Sequence, residues 1–307
     1  MLPLIYSEKY NFKIGAHVFP ARKYAEIVQR LCRDGITTTR DLLTPSPADD
    51  VDLLLVHTPD YLKKLKHAML TQEERWRLEI PYNLELFDAF RTAVGGTILA
   101  AHRAIEHGIA VHIGGGFHHA FPDHGEGFCV LNDVAIAARK ILAEKRVKSV
   151  LIIDCDLHHG NGTATIFRDD RRVYTFSIHQ QDNYPYEKPP SSMDVGLEDG
   201  AGDDEYLAAL TVTAEIMDAL KPGIVLYLAG ADPYQHDQLG GLALTIDGLA
   251  RRDRLIIEEA RTRNVPLAIV LAGGYAFRMS DTVEIHVNTI LEAHKRSDAG
   301  LSRKEME

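Results

Sequence analysis

Five short runs of continuously apolar residues, Ala110–Ile113, Ser149–Asp154, Val173–Ile178, Gly223–Leu228 and Pro266–Leu271, constrain the fold of this chain more than any other feature. They are rich in Val, Ile and Leu, and apart from Thr175 and Ser177 in the third they do not alternate with polar residues. Strands of that kind are covered on both faces, as in a parallel sheet clad by helices. Amphipathic helical patterns fill the intervals: Pro20–Arg33, Leu84–Glu106, Asp133–Lys145, Asp204–Leu220, Asp247–Arg263 and Asp281–Lys295. Several open on Asp or Pro, and Gly35 and Gly108 stand where helices should close. The succession of strand and helix predicts a wound α/β fold. The longest irregular stretch, 180–202, begins beyond a strand's carboxyl end, where open α/β sheets bind ligands.

At 307 residues the chain suits one large α/β domain or two small ones. No repeat and no Pro/Gly/Ser-rich linker divides it, so one domain is expected over 1–296, with a polar tail at 297–307. With 45% hydrophobic and 25% charged residues it must bury a sizeable core, which excludes disorder and a disulfide scaffold. The 34 basic and 44 acidic residues give a net charge of −10, which repels phosphate backbones and excludes nucleic acid as a partner. No apolar run approaches the roughly 18–20 residues that cross a bilayer, and the opening segment lacks a signal-peptide pattern. Three cysteines, Cys32, Cys129 and Cys155, without a CxxC pair fit a reducing, cytoplasmic setting.

The most informative segment is Asp154-Cys155-Asp156-Leu157-His158-His159-Gly160-Asn161-Gly162, which ends an apolar strand. Extended geometry would point Asp154, Asp156 and His158 to one face. Carboxylates buried at a strand end are costly without a cation or hydrogen bonds, so a metal is the economical reading, against a polar strand end with a capping Asp. A second cluster, Gly114-Gly115-Gly116-Phe117-His118-His119, presents two histidines after a glycine turn. A phosphate loop is the rival reading, weakened because no Lys-Ser/Thr and no helix follow. Asp232 stands just past the fourth strand as a third ligand for the same metal, and Tyr275 follows Gly273 and Gly274 after the fifth, where its phenol could donate to an oxyanion.

These segments resemble the zinc-dependent histone deacetylase superfamily, which has the arginase/deacetylase fold. GGGFHHA at 114–120, GFCVLND at 127–133, DCDLHHGNG at 154–162, AGAD at 229–232, DQLGGL at 237–242 and AGGY at 272–275 occur in that family's order. Val56-His57-Thr58-Pro59-Asp60-Tyr61-Leu62 is similar to its early VHxxxYL element, and Gly15–Pro20 is most like the class IV branch and its bacterial relatives. The resemblance implies a single-domain, three-layer α/β/α fold with a mainly parallel sheet.

It also implies a set of roles. Asp156, His158 and Asp232 match the zinc ligands, and ferrous iron accepts the same donors. His118 and His119 match the tandem histidines, with His119 the general base toward a zinc-activated water and then general acid toward the leaving amine. Asp154 matches the carboxylate that orients His118 and, with Ser177, a structural potassium-type cation site. Tyr275 matches the oxyanion donor. Gly127, Phe128, Tyr184, Gly273 and Gly274 match the walls of a channel for an acylated lysine. Asn161 stands where some branches have a second carboxylate, and a neutral amide should leave His119 less basic. The implied activity is hydrolysis of N-acyl-lysine. Acetylpolyamines or other small N-acyl amines are alternative substrates for the same residues, and a catalytically silent acyl-lysine-binding module is a third reading. An arginase-like dinuclear site is disfavoured because His118, His119 and Asn161 suit a mononuclear one.

Overall fold

The computed structural model describes residues 2–298. Its sheet has seven strands: β1 (Leu4–Ile5), β2 (Ile109–His112), β3 (Val150–Asp154), β4 (Val173–Gln180), β5 (Met193–Leu197), β6 (Val225–Leu228) and β7 (Leu267–Val270). They lie in the order β1-β2-β7-β6-β3-β4-β5, and every neighbouring pair is parallel. The sheet separates two apolar cores because successive side chains of a strand point to opposite faces. Leu151 and Ile153 of β3 join a core with the helix Ile246–Thr262, whereas Val150 and Ile152 face a second core with Ala101 and Ala104 of Leu84–His107 and Val134 and Ala138 of Asp133–Ala143. Helices therefore clad both faces, as continuous apolar strands require.

Local chemistry sets the helix ends. Asn83 accepts from Leu86 N at 2.7 Å and Asn132 from Ala135 N at 2.9 Å, each satisfying an otherwise orphaned amide. Gly108, at φ +87°, closes the first of these helices.

The expected strands and helices are present, with differences that include β1, too short to have been expected. The stretch 180–202 is not wholly irregular: β5 lies within it, as a five-residue edge strand of mixed exposure whose Asp194 and Gly196 conceal the pattern. The expected helix at 204–220 breaks at Thr211 into Asp203–Leu210 and Val212–Leu220, where Thr211 Oγ1 donates to Ala208 O at 2.7 Å and competes with the helical ladder. Short helices at Asp50–Leu53, Pro59–Lys66, Gln72–Leu78 and Asn161–Phe167 carried too few turns for a readable period. The last helix runs Met279–Asp298 and takes in the first two residues of the tail expected at 297–307, the rest of which lies outside the described residues. Among the described residues no helix is long and apolar enough to cross a membrane.

Candidate active site

Loops beyond the carboxyl ends of β2, β7, β6 and β3, four consecutive strands of the sheet, converge on one cavity of about 190 Å³. The loop after β2 turns through Gly115 and Gly116, at φ +77° and +84°, and the buried Asp133 carboxylate accepts from Gly116 N at 3.1 Å and Phe117 N at 2.8 Å. That turn delivers His118 and His119 to the cavity wall.

After Asp154 the β3 backbone is no longer extended, so Asp154, Asp156 and His158 do not share one role. Asp154 Oδ2 faces His118 Nδ1 at 2.7 Å, and its Oδ1 accepts from Asp156 N at 3.1 Å. Extended geometry does not persist to His158, and Asp154 stands apart from the metal cluster beside His118. Asp156, His158 and Asp232 instead form the cluster, with one ligand atom from each lying within 4.8 Å of the others and all three residues buried. His158 Nδ1 is 3.1 Å from Asp156 Oδ1 and 3.5 Å from Asp232 Oδ2.

The donor set fits a divalent cation. Asp232 Oδ2 is buried with no hydrogen-bond partner among the described residues, a costly arrangement that a cation would relieve. Two carboxylates and one imidazole also leave coordination positions free, as catalytic rather than structural sites do. Without an ion, burial opposes charge on His158, but contacts with Asp156 and Asp232 outweigh it and raise the imidazole to about 10. Burial raises the Asp232 carboxyl, as does the nearby Asp156 charge. Asp156 is held well below the ordinary range, because His118 and His158 overcome its burial. A divalent ion would take the place of the shared proton.

The tandem histidines are differentiated by their partners. Burial disfavours charge on His118, yet Asp154 and Asp156 raise it to about 9. His119 is pushed well below its ordinary value by burial and by His118 and His158, so it is the neutral partner. The two Nε2 atoms are 3.1 Å apart, and His119 Nδ1 is 2.7 Å from Asn161 Oδ1. With Nδ1 donating to Asn161, the neutral His119 keeps Nε2 unprotonated, where it accepts from His118.

Tyr275 lines the same cavity, its backbone N donating to Asp237 Oδ2 at 2.6 Å and its carbonyl accepting from Gln238 Nε2 at 2.7 Å. Burial raises its phenol well above the ordinary value, with Asp156 and Asp232 adding to the effect, so it remains a donor. Gly127, Phe128, Tyr184 and Gly273 line the cavity as expected, together with Phe19. Gly274 is not among the lining residues, since a Cβ there would face Ala231 and Thr282. Asp154 and Ser177 are register partners on β3 and β4, both buried.

The sequence reading missed three participants. Lys23, on the first helix, is fully buried and donates from Nζ to Ala272 O at 2.7 Å, anchoring the turn before Tyr275. Burial lowers its ammonium to about 8 although Asp232, Asp156 and Asp237 oppose that shift. Asp237 holds Tyr275 N from within the DQLGGL segment, and burial with the Asp232 charge raises it to about 7. Glu126 accepts from Asn161 Nδ2 at 2.7 Å, one residue before the GFCVLND segment. Only Asp237 lay in a recognised motif, and nothing local in sequence signals the other two.

Comparison with known proteins agrees with this architecture. The family model described as histone deacetylase domain matches residues 17–290. The chain is 41% identical over 286 residues to an uncharacterized protein of Picosynechococcus sp. strain PCC 7002, covering 92% of this chain and 95% of that one. It is 34% identical over 286 residues to histone deacetylase 2 of Arabidopsis thaliana, covering 89% and 74%. Against the acetoin utilization protein AcuC of Staphylococcus aureus strain MRSA252 it is 31% identical over 299 residues, covering 88% and 76%. Among solved structures, the HDA15 HD domain aligns with a TM-score of 0.80 at 24% identity, over 94% of this chain and 87% of that one. An HDAC homolog complexed with SAHA aligns with a TM-score of 0.79 at 24% identity, over 97% and 84%. The extent of the family match and the identity to these relatives make the chain a member of the histone deacetylase domain family and a hydrolase of the deacetylase type.

Proposed function

We propose that this protein hydrolyses the amide bond of N-acyl-lysine side chains, using a divalent ion, zinc by its donor set, held by Asp156, His158 and Asp232, and that it acts in the cytoplasm. The observation that carries the reading is the shared cavity. Asp156 and His158 of the Asp-His-Asp cluster, the His118–His119 pair and Tyr275 border one space of about 190 Å³ with aromatic and glycine walls, and Asp232 completes the cluster from behind them. The walls of that space, Gly127, Phe128, Tyr184 and Gly273, suit an unbranched acylated amine.

When bound, the ion would polarise the acyl carbonyl and acidify a water. His119, neutral and with Nδ1 directed at Asn161, takes the proton of the attacking water on Nε2 and returns it to the leaving amine. His118, charged and paired with Asp154, stabilises the negative charge that develops beside it. Tyr275 donates its phenol hydrogen to the same developing oxyanion. Phe128 and Tyr184 exclude water along the side chain of the substrate. The proposal includes a potassium-type cation held by Asp154 and Ser177, which would steady the end of β3.

Turnover of a panel of acyl-lysine peptides and acetylpolyamines by metal-reconstituted protein tests the reading. Cleavage of the peptides in preference to the polyamines is the expected result. Turnover of polyamines alone would transfer the same chemistry to small N-acyl amines, and saturable binding of acyl-lysine without turnover would make the chain a silent module.

A further inference from the structure

The neutral Asn161 leaves His119 without the carboxylate that its basicity would favour, but the structure supplies a carboxylate one step further away. Glu126 Oε1 accepts from Asn161 Nδ2 at 2.7 Å while Asn161 Oδ1 faces His119 Nδ1 at 2.7 Å. The same Glu126 oxygen accepts from the Tyr184 hydroxyl at 2.8 Å, and Glu126 Oε2 lies 3.6 Å from His124 Nε2. The Glu126 backbone is pinned by reciprocal bonds with Cys129, at 3.1 and 2.8 Å, and Asn161 and Tyr184 hold its carboxylate. Glu126 does not border the cavity that holds the metal cluster; it borders a neighbouring groove with Asn161 and Tyr184.

We propose that Glu126 is a positioning residue for the reaction, whose carboxylate orients and polarises the Asn161 amide and thereby holds His119 as the tautomer with Nδ1 protonated and Nε2 free. The inference rests on the role of His119 given under the proposed function. A carboxylate accepts but does not donate, so it faces the NH₂ end of the amide and turns the carbonyl end toward His119. The amide N–H of Gly162 donates to the same Asn161 Oδ1 at 3.0 Å and supports that orientation. What Gly162 cannot supply is charge. A negative charge on the NH₂ side makes Asn161 Oδ1 a stronger acceptor, which strengthens the bond from His119 Nδ1 and raises the basicity of Nε2. The bond to Tyr184 ties one wall of the substrate cavity to the same charge.

The test combines a double-mutant cycle with a direct reading of the imidazole. Glu126→Gln should lower kcat about tenfold with KM within about twofold in otherwise wild-type protein, and by less than about twofold when Asn161 is already alanine, because a residue acting through Asn161 has nothing left to act on. Equal losses in both backgrounds, or no loss in either, overturn the proposal. Long-range ¹H–¹⁵N NMR on the metal-free protein reads the tautomer without turnover. Wild type should show His119 protonated on Nδ1, and Glu126→Gln should move the Nδ1 proton upfield or mix the tautomers. An unchanged His119 signal in that variant overturns the proposal even if no substrate is ever cleaved, whereas failure of the substrate panel alone strikes only the proposed function.

Discussion

Gly273 lies so close to Asp232 that a Cβ on it would sit 1.9 Å from Asp232 Oδ2 and 2.5 Å from Asp156 Oδ2. Its amide also donates to Asp156 Oδ2 at 2.9 Å, so the backbone of this residue forms part of the wall around the proposed metal ligands. Gly273→Ala must displace one carboxylate or the turn. The expected outcome is a metal affinity lower by about 10–100-fold, the scale seen when a residue supporting the ligands is lost. A competition titration with a chromophoric chelator measures it, and an unchanged dissociation constant would show that the two carboxylates are not the ligands.

Tyr275 has its backbone held independently of its side chain, by Asp237 and Gln238. Tyr275→Phe should therefore leave the turn in place and remove only the phenol donor. We expect kcat to fall by about 10²–10³, with unfolding free energy changed by no more than about 1.5 kcal/mol. Steady-state kinetics and urea denaturation on the same variant separate the two effects. Turnover within a few-fold of wild type would pass the oxyanion role to another group.

His119 and Asp156 should separate proton handling from metal binding. His119→Ala is expected to abolish most turnover while retaining one divalent ion per chain, because its partners are His118 and Asn161. Asp156→Ala should lose ion and activity together. Elemental analysis of both purified variants decides the matter, and two ions per chain in the active wild type would point to a dinuclear site instead.

Glu292 carries a pH dependence of stability away from the cavity. Although burial works against its charge, Arg254, Lys295 and Arg296 hold its carboxyl down at about 2. A folded-state value below the unfolded one means that stability is gained above the ordinary carboxylate value near 4.5 and lost as pH falls from there through about 2. Because Arg254 and Lys295 are half in water, screening leaves about 1–2 kcal/mol of this at neutral pH. Glu292→Gln should be less stable than wild type by that amount at pH 7, and the gap should close as the pH approaches 2. Urea denaturation at several pH values tests this, and a gap independent of pH would assign the loss to packing.

The legible part of the fold was the part written in local periodicity. The run Ser149–Asp154 announced β3 because its four consecutive apolar residues, Val150 to Ile153, can be buried only where both faces of a strand are covered. Two-residue β1 has no period to read, and β5 lies at an edge where partial exposure relaxes the choice of side chains. Thr211 broke a helix whose apolar stripe continues past it, since a side-chain hydroxyl competes locally with the backbone ladder.

By itself the sequence determined that polar clusters follow the apolar runs now seen as β2, β3, β6 and β7, because glycine turns and strand ends are properties of neighbouring residues. Only the tertiary structure decided which group meets which. Asp154 and Asp156 are identical in chemistry and two positions apart, yet one faces His118 and the other joins His158 and Asp232, because the chain leaves its extended course between them. The sheet order β2-β7-β6-β3 closes the 75 positions between Leu157 and Asp232 to a 3.0 Å hydrogen bond. Lys23 and Glu126 reach the site from a helix and a turn whose own sequences carry no sign of it. Side-chain identity is a local property, but the field and the hydrogen bonds that a buried side chain meets come from residues distant in sequence, which only the packed chain brings within reach.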